Sequence, residues 1–332
     1  MNWYLQSGKD SDVVINTHIT FSRNLRNFKF GTENPKEIQE IENLIKTNLP
    51  SLGYNLKFLK IKDMDNLIKN SLIEKGLVPE EINEYSSILI NNEENICIVI
   101  NSTNHIELQV FMAGMEIENA FNLAREIDEK LNKILDIAKS KKYGYLTTYP
   151  INVGTGLNSE VTIHLPGLTK TGNIRKISQT INNFGLNFIG LYVSGQEIVG
   201  DLYKICNKQT LGITEDTIIK NLNAIVEKTI EQERQARKIL AKNQIELEDL
   251  IYRDFGILTN AKKLRWQETL ELLSNVKMGV DLGLLDELND EKIAKIYFLI
   301  NPSNLQIHYG QNFEAYDRDI KRAEIIKEIV RS

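Results

Sequence analysis

Two short stretches of this sequence hold side chains whose types and spacing could do chemistry. The first, YLTTYPINVGTGLNSEVTIHLP from Tyr145 to Pro166, is punctuated by Pro150, Gly154 and Gly156. Glycines let a backbone approach another group closely, and Thr155 between them is small enough to leave room for a ligand. The same spacing also describes an ordinary turn. The second stretch, YDRDIKRA from Tyr316 to Ala323, sets Arg318 and Arg322 four residues apart beside Asp319, on one face near a helix start. Guanidinium forks match phosphate oxygens, helix N-terminal N–H groups favour an anion, and an aspartate accepts hydrogen bonds from a guanidinium. A ligand carrying both a phosphate and a guanidinium would use all three. The alternative there is a solvated turn with local ion pairs.

Other reactive residue types are scattered. His18, His105 and His164 lack metal-ligand spacing, so no zinc site is expected, and His105 and His164 read as hydrogen-bonded structural residues. Cys97 lies within Ile96-Cys97-Ile98-Val99-Ile100 and reads as a small buried thiol; with Cys206 it makes no disulfide framework.

The elements that must position these residues follow from periodicity. Strands are expected at Val13–Phe21, Leu56–Ile61, Ser87–Ile90, Asn95–Ile100, Ile106–Met112, Leu186–Val193 and Leu202–Asn207, with Val161, Ile163 and Leu165 on a half-buried strand ending at Pro166. Helices are expected at Asn34–Leu49, Asp65–Lys75 (closed by Gly76), Glu116–Ser140 and Thr171–Asn183. Hairpins broken by helices, without a regular βαβ period, indicate an α+β fold with a largely antiparallel sheet. From Thr214 onward the pattern is helical throughout: Asp216–Lys242, Glu246–Tyr252, Arg265–Val276, Asp290–Leu299 and Asp317–Val330. A boundary near residue 230 divides the chain into 1–230 and 231–332.

Composition bounds the rest. At 332 residues, 42% hydrophobic and 26% charged, the chain is long enough for two domains or one large one with an ample core. A formal net charge of −5 gives no electrostatic reason to expect a nucleic-acid partner. Met1–Asp12 lacks an apolar signal core and no stretch approaches a membrane span, so a cytoplasmic protein without a membrane partner is expected.

Tyr149-Pro150-Ile151-Asn152-Val153-Gly154-Thr155 resembles the Cys-Pro-x-Asn-x-Gly-Thr motif of the ATP:guanido phosphotransferases. Within that superfamily the chain is most similar to the bacterial protein-arginine kinases of the McsB type, from Asp12-Val13-Val14 to Arg318-Asp319-Ile320-Lys321-Arg322-Ala323. The resemblance implies a curved antiparallel sheet flanked by helices, as in the phosphagen-kinase catalytic domain, plus a C-terminal all-helical domain for dimer contacts and phosphoarginine binding.

The chemistry of that family sets a test. Phosphoryl transfer needs positioning and charge compensation, so about four negative charges on ATP call for several arginines. A guanidinium acceptor is a poor nucleophile until carboxylates hold it and take a proton. The positions matching the family's ATP arginines hold His18, Thr20, Glu107, Asn158 and Ile189. Thr103 stands at the catalytic carboxylate, Tyr149 at the substrate-side cysteine and Ser194 at the second substrate carboxylate, although Glu197 is nearby. One transition-state arginine is worth about 10³–10⁵ in rate, so the expectation is a catalytically inactive relative with no bound cofactor. By contrast the Arg-Asp-x-x-Arg-Ala motif is intact, and the resemblance assigns phosphoarginine to Arg318, Asp319 and Arg322. It also implies a homodimer or a heterodimer with an active arginine kinase, arginine-phosphorylated proteins, a zinc-binding activator and the Clp protease machinery as partners. The competing expectation is an active kinase, using ATP with magnesium, that has rebuilt its site from Arg23, Arg26, Arg175 and Glu197.

Overall fold

The computed structural model describes residues 2–48, 52–194 and 197–332, with the side chains of Ser194 and Glu197 outside the described part. Strand β1 (Val14–Arg23) is the centre of the molecule. Its odd-numbered residues Ile19 and Phe21 are fully buried on one face, while His18, Thr20 and Ser22 point to the other, as a two-residue period requires.

Around β1 runs an eight-stranded antiparallel sheet. It is completed by β2 (Lys57–Lys60), β3 (Ser87–Ile90), β4 (Ile96–Ile100), β5 (Ile106–Ala113), β8 (Leu157–His164), β9 (Leu186–Gly190) and β12 (Leu202–Asn207), in the order β2-β3-β4-β5-β1-β8-β12-β9. Small ribbons pair β6 (Lys139–Ser140) with β7 (Gly144–Tyr145) and β10 (Val193–Ser194) with β11 (Glu197–Ile198). One face is covered by α1 (Pro35–Asn48), α3 (Ile117–Ile134), α5 (Ile174–Asn183) and the first part of α6 (Glu215–Leu240), forming a core that includes Ile41, Phe121, Val161, Ile181 and Val226. On the other face α2 (Asn66–Glu74) and the turn Trp3–Leu5 cover part of the sheet through Trp3, Leu72, Cys97 and Phe111.

The remaining helices are α4 (Pro166–Lys170), α7 (Gln244–Asn260), α8 (Trp266–Asp281), α9 (Asp290–Leu299), α10 (Pro302–Tyr309) and α11 (Ala315–Arg331). From α7 onward they gather around a separate apolar core containing Ile251, Leu273, Ile296 and Ile326. The change of core falls between Ala236 and Leu247, although α6 itself runs unbroken through residue 230.

Several expected elements have different limits. The helix expected through Ser140 stops at Ile134, because Leu135 turns extended and the chain pairs back onto the segment after β1. Ala138 N–H donates to Asn24 O and Arg26 N–H to Asp136 O, burying Leu135 and Ile137. The strand expected over 186–193 ends at Gly190. There Leu191 N–H still bonds Leu202 O, but the chain then enters a separate hairpin. Val161 and Ile163 of β8, and Leu165 just past its end, are buried as inward residues, but Thr162 and His164 on the other face are buried as well, so the end of the strand is covered on both faces rather than one. Helix α10 was not expected. It is short, and its N-terminus is capped from elsewhere by Glu74, which accepts from Ser303 N–H at 2.7 Å and Asn304 N–H at 3.0 Å.

Candidate functional site

Strand register decides which of the expected site residues meet. Thr20 pairs with Gln109 on β5 and Asn158 on β8; His18 pairs with Phe111 and Glu160; Ser22 pairs with Glu107; and Lys204 pairs with Thr162 and Ile189. Directly paired residues share a face, so His18, Thr20, Glu107, Asn158 and Ile189 all lie on the sheet face turned away from α3 and α6. None of the strand positions on that face holds an arginine.

What occupies the face is a short polar relay. His18 Nδ1 is 3.0 Å from Glu160 Oε1, and Lys204 Nζ lies 2.8 Å from the same oxygen. His18 Nε2 is 3.0 Å from Gln109 Oε1, whose amide nitrogen donates to Leu77 O, and 3.1 Å from Thr20 Oγ1. Burial opposes the charge on Glu160, but the hydrogen bonds and charges of His18 and Lys204 outweigh it and hold the carboxyl well below its usual range. The imidazole is also stacked at 4.0 Å on Phe111, which stacks at 5.0 Å on Trp3. Glu107 differs: burial pushes its carboxyl up against the hydrogen bond from Asn104 Nδ2 at 3.2 Å, and no salt bridge joins it to a cation among the described residues.

Thr103 and Tyr149 sit at one end of the sheet. They lie on adjoining loops tied by Thr148 N–H donating to Asn104 Oδ1 at 2.9 Å, with Tyr149 exposed. Ser194 belongs to the β10–β11 hairpin, and its side chain, like that of Glu197, lies outside the described part. The glycines of the central loop make their close approaches to the protein itself. A Cβ on Gly154 (φ 121°) would stand 2.2 Å from Thr210 O, and one on Gly156 (φ 60°) would stand 2.5 Å from an Arg23 nitrogen. Thr155 is buried, and its carbonyl accepts from Arg23.

Arg23 is on the opposite face from His18. It is fully buried and forked onto Asp128 of α3 at 2.8 and 2.9 Å, with its guanidinium 3.6 Å from the Tyr145 ring centre. Arg26 pairs with Asp136 at the surface, and Arg175 is exposed on α5, the helix that packs its Ile177 and Ile181 into the core. His105 accepts from Leu25 N–H and donates to Lys29 O, which fixes its tautomer; burial holds its ring below the ordinary histidine range. His164 is buried with Nε2 2.9 Å from Ser274 Oγ, and Cys97 is buried, as expected. No group of three or more His, Cys, Asp and Glu among the described residues is placed to hold a metal ion.

In the helical half, the motif on α11 divides in two. Arg322 is buried, and its donors go to Ile300 O and Leu264 O at 2.8 Å each and to Asp319 Oδ1 at 2.7 Å. Arg318 and Asp319 are partly exposed in the first turn and a half of the helix, and Arg318 donates to Phe313 O.

Comparison with known proteins agrees with this layout. The profile of the ATP:guanido phosphotransferase C-terminal catalytic domain matches residues 38–236, and that of the protein-arginine kinase McsB C-terminal domain matches 244–332. A protein-arginine kinase of Halothermothrix orenii is 38% identical over 332 residues, covering 98% of this chain and 95% of that protein. This chain belongs to the protein-arginine kinase family. Another family member, from Bacillus pumilus, is 36% identical over 99% of the chain and 93% of its own length. The family fold is also that of more distant phosphagen kinases. A duplicated taurocyamine kinase from Schistosoma mansoni superposes with a TM-score of 0.62 at 22% identity, over 74% of this chain and 38% of that one. Lombricine kinase gives 0.59 at 23%, over 68% and 67%.

Proposed function

We propose that this member of the protein-arginine kinase family is catalytically inactive and acts as a cytoplasmic binding or regulatory protein. The observation that carries the reading is the sheet face built from His18, Thr20, Glu107, Asn158 and Ile189. A triphosphate there would meet the half-buried acid Glu107 and would find Lys204 and His18 already committed to Glu160. This donor set does not fit ATP with magnesium. The rebuilt-site alternative draws no support from Arg23, whose guanidinium is forked onto Asp128 behind the sheet.

The binding role rests on α11. Arg318 and Asp319 would contact a phosphoarginine side chain, while Arg322 holds Asp319 and the helix in place through its bonds to Ile300 and Leu264. On this reading the helical half dimerises with itself or with an active arginine kinase. It receives arginine-phosphorylated proteins, with a zinc-binding activator and Clp proteases as further partners. The test is paired titration of the full chain. ATP with magnesium should give no heat and no transfer of label to protein above a heat-killed control, whereas phosphoarginine should bind and be lost in Arg318→Ala. Label transfer from ATP would overturn the proposal.

A further inference from the structure

The loop between α7 and α8 lies along α11 and is fastened to it at three heights. Leu264 N–H donates to Asp319 O at 3.0 Å, Arg322 donates to Leu264 O at 2.8 Å, and Lys327 Nζ donates to Ala261 O further along the helix. Lys262 and Lys263, both exposed, are therefore held beside the helix that carries Arg318 and Asp319. Lys263 Nζ stands 5.1 Å from the centre of the exposed Tyr316 ring, two residues before Arg318.

These cations are not neutralised within the protein. Of the neighbouring acids, Glu324 pairs with Lys321 at 2.6 Å and Glu268 faces Arg265 at 3.8 Å, while Glu328 is exposed on α11 and joins none of them. Among the described residues no salt bridge reaches Lys262, Lys263, Lys327 or Arg331. Lys327 registers the crowding. Loss of water, then the charges of Lys262 and Arg331, push its ammonium below the ordinary lysine range against the pull of Glu324. Lys327 also serves the carbonyl just past the end of α7, so Lys262 and Lys263 add positive charge that this helix end does not require. In a chain with a formal net charge of −5, such a patch is suited to anionic groups on a partner.

Distance decides what those groups belong to. Arg318 to Lys327 is nine residues of helix, about 13 Å at ~1.5 Å per residue, and about four residues of extended peptide cover the same length. A single phosphoarginine side chain held at Arg318 and Asp319 does not extend that far, whereas its neighbours in a polypeptide do.

We propose that Lys262, Lys263 and Lys327 extend the α11 site into a surface for acidic side chains that flank a phosphoarginine, up to about four residues from it, in a protein segment. This rests on the reading of Arg318 and Asp319 as phosphoarginine contacts and adds which phosphorylated segments are favoured. Exposed ion pairs are individually weak, so two or three of them amount to a preference of roughly three- to tenfold that fades as salt is raised.

The test is fluorescence anisotropy with the full chain and three labelled peptides that share a central phosphoarginine and differ only in their flanks: glutamate, serine or lysine. The glutamate peptide should bind roughly three- to tenfold tighter than the serine peptide and the lysine peptide more weakly than either. In the double variant Lys262→Gln, Lys263→Gln the three affinities should converge to within about twofold, while free phosphoarginine binds as it does to the wild type. Lys262→Gln alone, which keeps the Lys263 contact with Tyr316, serves if the double variant does not fold, and should lose part of the preference. Equal affinities in the wild type, or a preference kept in the folded variants, would overturn the assignment and leave the phosphoarginine site standing. A wild-type chain that binds neither free phosphoarginine nor any of the peptides would remove that site and this extension with it.

Discussion

His18 Nδ1 lies 3.0 Å from Glu160 Oε1 across the β1–β8 pair, and Lys204 reaches the same oxygen from β12. Three strands far apart in sequence thus spend their charges on one another on the face that the family resemblance assigns to ATP. A carboxylate held between His18 and Lys204 also has a predictable response to acid.

The folded-state carboxyl of Glu160 is held below its ordinary value of 4.5, so its stabilisation is present above that pH and is lost as pH falls below it. Wild-type urea midpoints should therefore drop between pH 6 and pH 3. Glu160→Gln should lower the midpoint at pH 6, because Lys204 loses its carboxylate partner, and flatten the acid dependence. A variant with an unchanged pH profile would contradict the assignment.

Arg23 and Asp128 form a buried fork, and removing one partner strands the other. Arg23→Ala should cost about 3–5 kcal/mol in chemical denaturation, whereas replacing both residues by apolar ones of similar volume should recover most of the loss. Neither change should create or remove ATP binding, which calorimetry can check.

On α11 the two arginines should separate cleanly. Arg322→Ala breaks two buried hydrogen bonds and a half-buried one and should destabilise the protein by roughly 2–4 kcal/mol, while Arg318→Ala should leave the thermal midpoint within a degree or two. Phosphoarginine titration of the folded Arg318→Ala variant then reads binding without a stability artefact, whereas Asp319→Ala also removes the carboxylate partner of Arg322 and must be compared at matched stability.

Gly156→Ala forces a Cβ into the Arg23 guanidinium and the Ser22 carbonyl at positive φ. A loss of about 1–3 kcal/mol is expected, measured by the urea midpoint. A neutral result would mean that the loop yields without disturbing Arg23.

Much of the scaffold was legible in the residues themselves. Ile106–Met112 alternates apolar with polar and is β5; Asp290–Leu299 and Leu202–Asn207 match α9 and β12 end to end. What was not legible is non-local. Nothing between Leu135 and Ser140 announces that the chain abandons its helix to pair with Leu25. Pro302–Tyr309 is too short to show a period, and its cap is Glu74, more than two hundred residues away. The relay of His18, Glu160 and Lys204 depends on register, which local propensity does not encode. The five positions that the resemblance assigns to ATP were locatable only through motif alignment, and the structure added their common face. The glycine loop could be located, but not the fact that its close approach is to Arg23 and Thr210.

Asp10, Ser11 and Asp12 are fastened to residues synthesised long after them. Arg234 clasps both aspartates, Lys277 holds the Ser11 carbonyl, Arg237 takes the Asp12 carbonyl, and Asp290 takes the Ser11 hydroxyl. The beginning of the chain must therefore wait, during translation, for helices near the far end to emerge before its own bonds can close. A nascent chain halted before α8 would lack the Lys277 and Asp290 bonds and keep a loose, protease-sensitive segment at Asp10–Asp12.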